Sequence, residues 1–339
     1  MNFDSQPVPV PAVEFAIMPV LFLTESDVEA LIDMTTSIEV VERAFAALAE
    51  GTAANVPRTR ARASGLILHT MSATASYLGL AGWKAYTTTT AGARFHVAAY
   101  DLNSGRMVAL IQADRLGQLR TGAASGVATR HLARDDAATM GLLGTGWQAQ
   151  SQLEAVAAVR ELRTVRVYSR DESRRREFSE MMSRRLEINV TAVTSAEQAV
   201  AGAEIVSTAT TAPSPLFDGQ LLAPGSHLNI IGSNQLAKAE VDVAAIAQAD
   251  LLACDRIDQC RIEAGELAAA VDSGRWQWES SVELADVVAG SIPGRRGDDD
   301  RTVFKSVGLA IEDVAMAAEL IRRARDRGLG QDIPLDGPT

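Results

Sequence analysis

In the run Met140-Gly141-Leu142-Leu143-Gly144-Thr145-Gly146-Trp147-Gln148-Ala149, a short apolar stretch leads into glycines two apart and a small residue three further on. That spacing suits the holding of a diphosphate. Gly144 would make the tight turn, Gly146 would let the phosphates approach the backbone, and Ala149 would let the next helix pack close to its strand. A helix opening at Trp147 adds free N–H groups and the positive end of its dipole. Gly144, Thr145, Gly146, Trp147, Gln148 and Ala149 are therefore candidate dinucleotide-binding residues; a strand–helix turn without a ligand is the plainer alternative. About twenty residues on, where an acidic side chain would read a ribose, the run Val165-Arg166-Val167-Tyr168 ends in Ser169-Arg170, with Arg174, Arg175 and Arg176 one turn later. An acid there would accept bonds from a free 2′-hydroxyl and repel a 2′-phosphate, whereas Ser169, Arg170 and then Arg174 favour the phosphate. The expected cofactor is NADP(H) in preference to NAD(H). Nine arginines face five acids between residues 160 and 185, and a solvated basic helix face accounts for several of them.

Three further cations lie outside that region. Arg58 sits in Pro57-Arg58-Thr59-Arg60, Lys84 in Gly82-Trp83-Lys84-Ala85-Tyr86, and Arg120 in Leu119-Arg120-Thr121. Surface charge would explain each alone. Lys84, however, lies in an otherwise uncharged stretch from Gly65 to Gly92, and Arg120 lies on a helix built for close packing, carrying Gly117, Gly122, Ala123, Ala124 and Gly126. A carboxylate-binding cluster would give both a reason. The chain has 29 Arg but only three Lys, at 84, 238 and 305, so a retained lysine marks a position where arginine geometry does not serve. His69, His96, His131 and His227 show no metal spacing and no carboxylate pair is arranged for zinc, so no metal is expected and structural histidines are the simpler reading.

The elements that must position these residues follow from the pattern. Residues 1–23 hold four prolines and read as an extended arm; Thr24-Glu25-Ser26-Asp27 is a capping box. A helix is expected from about Ser37 to Glu50. Runs at 56–62, 66–71, 82–89, 95–100 and 107–111 predict an antiparallel meander of about five strands, and Leu116 to Leu132 the small-residue helix. Beyond it, strands near 139–144, 164–169, 204–209, 227–232 and 250–254 alternate with helices, the signature of a parallel sheet covered on both faces. A last helix is expected from about Gly308 to Arg325. The fold class is thus α/β: a Rossmann dinucleotide-binding domain at 126–312, and an α+β domain with antiparallel strands at 1–125 with 313–339.

Composition narrows the class. The 339 residues are 47% hydrophobic and 22% charged, which are globular values. The net charge of -11 argues against nucleic acid or an anionic membrane as partner. Cys254 and Cys260 have no zinc-type spacing and suit a reducing cytosol. Met1 to Ser5 carry no basic run, and Ala12 to Leu23 contains Glu14 and Pro19, so neither a signal peptide nor a span is expected.

Taken together, the motifs resemble those of the ornithine cyclodeaminase/mu-crystallin family over roughly residues 24 to 327. They are Pro57-Arg58-Thr59, Gly82-Trp83-Lys84, Leu119-Arg120-Thr121-Gly122-Ala123-Ala124, the Gly144 turn, Ile230-Ile231-Gly232, Gly265-Glu266-Leu267 and Phe304-Lys305-Ser306-Val307-Gly308-Leu309-Ala310-Ile311-Glu312-Asp313. The resemblance implies a homodimer in which the N-terminal segments and last helix form a dimerising substrate domain, with nicotinamide and substrate meeting in the cleft. It implies that Arg58, Lys84 and Arg120 bind the substrate carboxylate, and that Thr121 lies by the cofactor phosphates. Thr208 and Ala209 would line the nucleotide, Gly232, Ser233 and Asn234 would follow on the next strand, and Ser306, Val307 and Gly308 would lie near the nicotinamide. Two departures stand out. Family cyclodeaminases place an acid two residues after the glycine matching Gly232, whereas Asn234 is an amide and cannot accept a proton near neutral pH. Met71-Ser72-Ala73 replaces the common Met-Pro-Ala, which bears on loop shape and substrate fit. The expected function is therefore NADPH-dependent reduction of a small cyclic or linear α-imino acid, or the reverse amino-acid dehydrogenation. An NAD-dependent cyclodeaminase and a non-catalytic NADPH-dependent carrier are the alternatives.

Overall fold

The computed structural model describes residues 19–335, so the prolines at 7, 9 and 11 and most of the expected arm lie outside the described residues. Two sheets organise the chain. The first has seven strands. β1 (Val20–Leu23) is followed by helices α1 (Glu25–Leu31) and α2 (Met34–Ala49), then by the meander β2 (Ala53–Ala63), β3 (Leu66–Ala75), β4 (Leu80–Thr89), β5 (Gly92–Asp101) and β6 (Met107–Gln112). The five meander strands pair antiparallel in sequence order, as their alternation predicts. The end of the arm is a strand: Leu21 and Leu23 are buried, and β1 pairs parallel with β6.

The long helix α3 (Asp114–Leu132) carries the chain to the second sheet. β7 (Thr139–Leu143), α4 (Trp147–Val159), β8 (Thr164–Tyr168), α5 (Glu172–Leu186), β9 (Asn189–Ala192), α6 (Ala196–Val200), β10 (Ile205–Thr208) and β11 (His227–Ile230) come first. Next are α7 (Val243–Ala247), β12 (Leu251–Cys254), α8 (Ile257–Glu263), α9 (Gly265–Asp272), β13 (Ser281–Glu283), α10 (Leu284–Val288) and β14 (Thr302–Lys305). The chain then returns through α11 (Ala310–Arg327) to β15 (Gln331–Ile333), which pairs antiparallel with β1. The eight strands of this sheet are all parallel, in the order β13-β12-β14-β11-β10-β7-β8-β9. The order reverses direction beside β7, the place where open parallel sheets leave a crevice.

Three strands of the parallel sheet escape the sequence pattern, as does β15 in the other sheet. β9 and β13 are short edges, and β14 reads Thr-Val-Phe-Lys, too polar for a central strand. β14 is nevertheless wholly buried between β11 and β12, because its polar groups are satisfied. Thr302 Oγ1 donates to the Leu132 carbonyl at 2.9 Å, and Lys305 Nζ donates to the Ser233 carbonyl at 2.8 Å. The last helix begins at Ala310 rather than Gly308, since Gly308 has φ +83° and cannot continue a right-handed helix.

α3 is buried on every side from Leu116 to Thr129, so it has no solvent face at all along that length. Its small residues mark the approaches. A Cβ on Gly122 would come within 2.5 Å of the Ser151 carbonyl oxygen on α4, and one on Gly126 within 2.9 Å of Ile38 Cδ1 on α2. No helix among the described residues is long and apolar enough to cross a membrane.

Candidate active site

Between the two sheets lies a cavity of about 930 Å³. One wall is made from the C-terminal ends of parallel strands: Leu143 to Gln148 after β7, Tyr168 to Arg170 after β8, Ala209 to Leu216 after β10, Ile231, Gly232, Asn234 and Gln235 after β11, and Ser306 to Gly308 after β14. Gly144 has φ +120° and turns so tightly that a Cβ would sit 2.4 Å from the Ala209 carbonyl oxygen. Gly146 is the opposite case. A Cβ there would meet nothing within 4 Å, leaving the backbone bare toward the cavity at the start of α4, whose N-terminus has no side-chain cap. The bare backbone and uncapped helix end fit a diphosphate. Trp147 lines the mouth, half exposed at 50%, with the Arg115 guanidinium 6.0 Å from its ring centre.

The expected ribose-reading residues are on the rim. Ser169 Oγ accepts from Thr145 Oγ1 at 3.1 Å, so the two ends of the turn are tied together. Arg170 and Arg174 line the cavity and are exposed; Arg174 lies 3.7 Å from Asp171, and Arg170 has no hydrogen-bond or ion-pair partner among the described residues. Arg175 turns back to donate to the Ser169 carbonyl at 3.1 Å, and Arg176 pairs with Glu172, so both already have partners. Ala149, Thr208 and Ser233 do not line the cavity. Ala149 is packed beneath the turn, Thr208 Oγ1 donates to Glu240 at 2.7 Å, and the Ser233 carbonyl accepts from Lys305.

The other end of the cavity holds the three expected cations. β2 carries a bulge between Val56 and Thr59, at Pro57, which has no N–H to give to the ladder. The bulge shifts the inward-facing set, so that Arg58 and Arg60 point in where Asn55 did before it. On β4 the two-residue period puts Lys84, Tyr86 and Thr88 on one face. Arg120 comes from α3, through the space that Gly308 leaves: a Cβ on Gly308 would fall 2.5 Å from Arg120 Nη1. A Cβ on Gly117 would stand 3.0 Å from Lys84 Nζ, so the small-residue helix also makes room for the lysine. Thr121 lines the same region and donates from Oγ1 to the Gly117 carbonyl at 2.7 Å.

Each cation already has an acid, which the sequence reading did not anticipate. Arg58 Nη1 lies 2.5 Å from Glu263 Oε2 and donates from Nη2 to the Val307 carbonyl at 2.9 Å. Arg60 lies 2.6 Å from the other oxygen of Glu263 and donates to the Asn234 carbonyl at 2.9 Å. Lys84 Nζ, 2% exposed as a residue, lies 2.8 Å from Asp313 Oδ1. Arg120 reaches Glu312 at 2.8 Å and the same Asp313 oxygen at 3.4 Å. Burial and the neighbouring Arg120 pull the Lys84 ammonium down to about 8, against the pull of Asp313. Burial raises Glu312 to about 7 despite Arg120. For Arg120 burial is outweighed by Asp313 and Glu312, which hold it above its ordinary value.

Two more buried carboxylates shape the walls. Asp255, at the end of β12, accepts from Ser306 Oγ at 3.0 Å and from the Val307 and Gly308 N–H groups at 2.7 Å each, which fixes the Ser306–Gly308 turn. Glu240 accepts from Thr208, from the N–H and hydroxyl of Thr210 and from the Gly232 N–H, tying the loops after β10 and β11 together. Glu263 and Asp255 stood outside every motif, and only burial distinguishes them from surface acids. Of the histidines, His69 lines the cavity, stacked on Tyr86 at 4.1 Å, and burial lowers it to about 4. His96 is exposed, His131 bonds Glu42, and His227 lies in the core. Lys305 stands fully buried behind the wall, and Lys238 does not line the cavity, so of the three lysines Lys84 alone faces it.

Residues 18–328 match the model of the ornithine cyclodeaminase/mu-crystallin family, and the chain belongs to that family. It is 37% identical over 234 residues to a Delta(1)-pyrroline-2-carboxylate reductase of Bacillus cereus, covering 69% of this chain and 72% of the relative. The structure of the Thermococcus litoralis Delta(1)-pyrroline-2-carboxylate reductase, in complex with NADH and L-proline, superimposes with a TM-score of 0.89 at 32% identity, covering 93% of this chain and 100% of that one. An archaeal alanine dehydrogenase dimer with bound NAD gives a TM-score of 0.89 at 29% identity, covering 94% and 100%.

Proposed function

We propose that this chain is an oxidoreductase acting on C–N bonds, a nicotinamide-dinucleotide-dependent reductase of a small α-imino acid that also runs the reverse amino-acid dehydrogenation. The observation that carries this reading is the convergence of Arg58, Lys84 and Arg120 at one end of a cavity whose other end is a bare-backbone dinucleotide turn. The likeness to two reductases of a cyclic imino acid and to an alanine dehydrogenase supports the same class. In this reading Gly144 to Gln148 and Thr121 hold the diphosphate, the Ser306–Gly308 turn backs the nicotinamide, and Arg58, Lys84 and Arg120 grip the substrate carboxylate. A bound reduced nicotinamide would supply a hydride, with its two electrons, to the imine carbon. The chain's own contribution is orientation: three donors on two strands of one sheet and one helix hold the carboxylate so that the neighbouring carbon faces the cofactor.

The cofactor preference we assign is NADP(H) over NAD(H), on the strength of Ser169, Arg170 and Arg174 at the rim and no acid at the end of β8. The two similar structures carry NADH and NAD, so the preference belongs to this chain's own rim. We divide the molecule into a substrate and dimerisation half, 1–125 with 313–339, and a nucleotide half, 126–312; that boundary crosses the shared helix α3. Asn234 on the cavity wall speaks against a cyclodeaminase, which needs a base at that place.

The test is a screen of NADPH and NADH oxidation with pyrroline-2-carboxylate, piperideine-2-carboxylate and ketoacid-plus-amine mixtures. Oxidation with one of these is expected. Ammonia release from ornithine or lysine without net cofactor consumption would replace the reading with a cyclodeaminase. Tight NADPH binding with no oxidation by any imine would replace it with a carrier.

A further inference from the structure

The clamp end of the cavity holds more acid than gripping a carboxylate calls for. Glu312 and Asp313 open α11 and are fully buried. One oxygen of each meets a cation: Glu312 Oε2 with Arg120, and Asp313 Oδ1 with Lys84 and Arg120. The other oxygen of each, Glu312 Oε1 and Asp313 Oδ2, is buried with no hydrogen-bond partner among the described residues. Two adjacent carboxylates, each with a bare oxygen in a dry site, form a costly dianion that a single proton would relieve. The charged groups around them come from several elements: Arg120 on α3, Lys84 on β4, Arg58 on β2 with Glu263 on α8, and Asp255 after β12, whose negative charge also bears on Glu312.

We propose that Glu312, with Asp313 beside it, is the proton store of the clamp, and that the pair takes up one proton as an anionic substrate seats against Arg58, Lys84 and Arg120. This rests on the carboxylate-clamp reading. An incoming carboxylate must share the guanidinium and ammonium groups that the two resident acids hold. A buried carboxylate that loses part of its cation partnership in low dielectric is relieved by protonation. Glu312, already raised to about 7, is the acid placed to do so near neutral pH. Linkage makes the effect reciprocal: the proton strengthens substrate binding by the factor with which substrate strengthens proton binding. Glu312 does not line the cavity, which makes it a positioning residue rather than a catalytic one.

The experiment is calorimetry of pyrrole-2-carboxylate, an anion with no reducible imine, binding to the dinucleotide-loaded protein at pH 7.5. It is run in phosphate, HEPES and Tris, whose ionisation enthalpies differ. The wild type is expected to take up most of one proton per ligand, with affinity falling toward tenfold per pH unit above neutrality. Glu312→Gln should lose most of the uptake and flatten the pH dependence, while Glu312→Asp, which keeps an acid, should retain it. Buffer-independent heat in the wild type overturns the inference without touching the clamp. Uptake unchanged in Glu312→Gln moves the proton to another group, Asp313 or Lys84, and overturns the assignment to Glu312 as well. Absence of any binding by the wild type removes the clamp reading and this inference with it.

Discussion

Lys84 is the side chain on which the substrate reading turns. It lies in an uncharged sequence stretch, is buried in the cavity wall and is bonded to Asp313. Lys84→Met should lower kcat/KM for an imino acid by about 30- to 150-fold, the ~2–3 kcal/mol of a charge-assisted bond, while the dissociation constant of reduced dinucleotide changes little. Steady-state kinetics alongside fluorescence titration of the cofactor checks both halves. The ammonium at about 8 gives a sign to the pH dependence. The protonated form grips the carboxylate, so kcat/KM falls as pH rises, first as Glu312 ionises near 7 and again as Lys84 loses its proton near 8. A profile that rises through pH 8 would reject this. At the rim, Arg170→Ala should weaken NADPH by about tenfold and leave NADH unchanged, because only the 2′-phosphate has lost a partner; equal effects on both cofactors would remove the assignment. At this scale the cations were legible and their partners were not. Arg58, Lys84 and Arg120 stand in spacings that mark them. Glu263 differs from any surface acid only in being carried by α8 against Arg58, some two hundred residues away in the chain.

Elements carried their own signals unevenly. The meander and the alternating strands were readable because a strand with one or two covered faces needs a matching apolar period. The bulge at Pro57 was not predicted, although it decides which face of β2 bears the arginines. β14 was missed because its polar ends are satisfied by Leu132, Ser233 and Glu266, which come from other elements. The small residues of α3 were read correctly as an invitation to close packing, and their partners are now specific. Gly122→Val should destabilise the protein by about 1–3 kcal/mol, since the Ser151 carbonyl on α4 cannot retreat without moving that helix. A lower midpoint in thermal scanning is the expected result. An unchanged midpoint would mean that α3 and α4 are not in the contact described.

At the scale of the molecule, α3 joins a mixed sheet to a parallel one, and the cavity opens where α3, α11 and the strand ends converge. Its core partly depends on an uncharged histidine. His227 is wholly buried between Thr302 at 2.9 Å and Asn229 at 3.1 Å, and burial lowers it to about 3. Its folded value lies below the unfolded 6.5, so between these limits the unfolded chain binds more protons. This contribution is fully present above pH 6.5 and is lost as pH falls toward 3. Denaturant titrations across that window should show stability falling with pH, and His227→Asn should show a shallower fall from a lower starting point; an equal slope would exclude His227 as a source. The sequence by itself determined the meander, five strands of the parallel sheet, the glycine turn after β7, the family, and Arg58, Lys84 and Arg120 as the cations to watch, because periodicity, turn chemistry and motif spacing are local. Only the tertiary structure decided that each cation meets a buried acid, that Asp255 and Glu240 tie the walls, and that Glu312 and Asp313 share one dry corner. Those facts depend on which distant residues are desolvated together, and desolvation is a property of the packed molecule rather than of any segment of it.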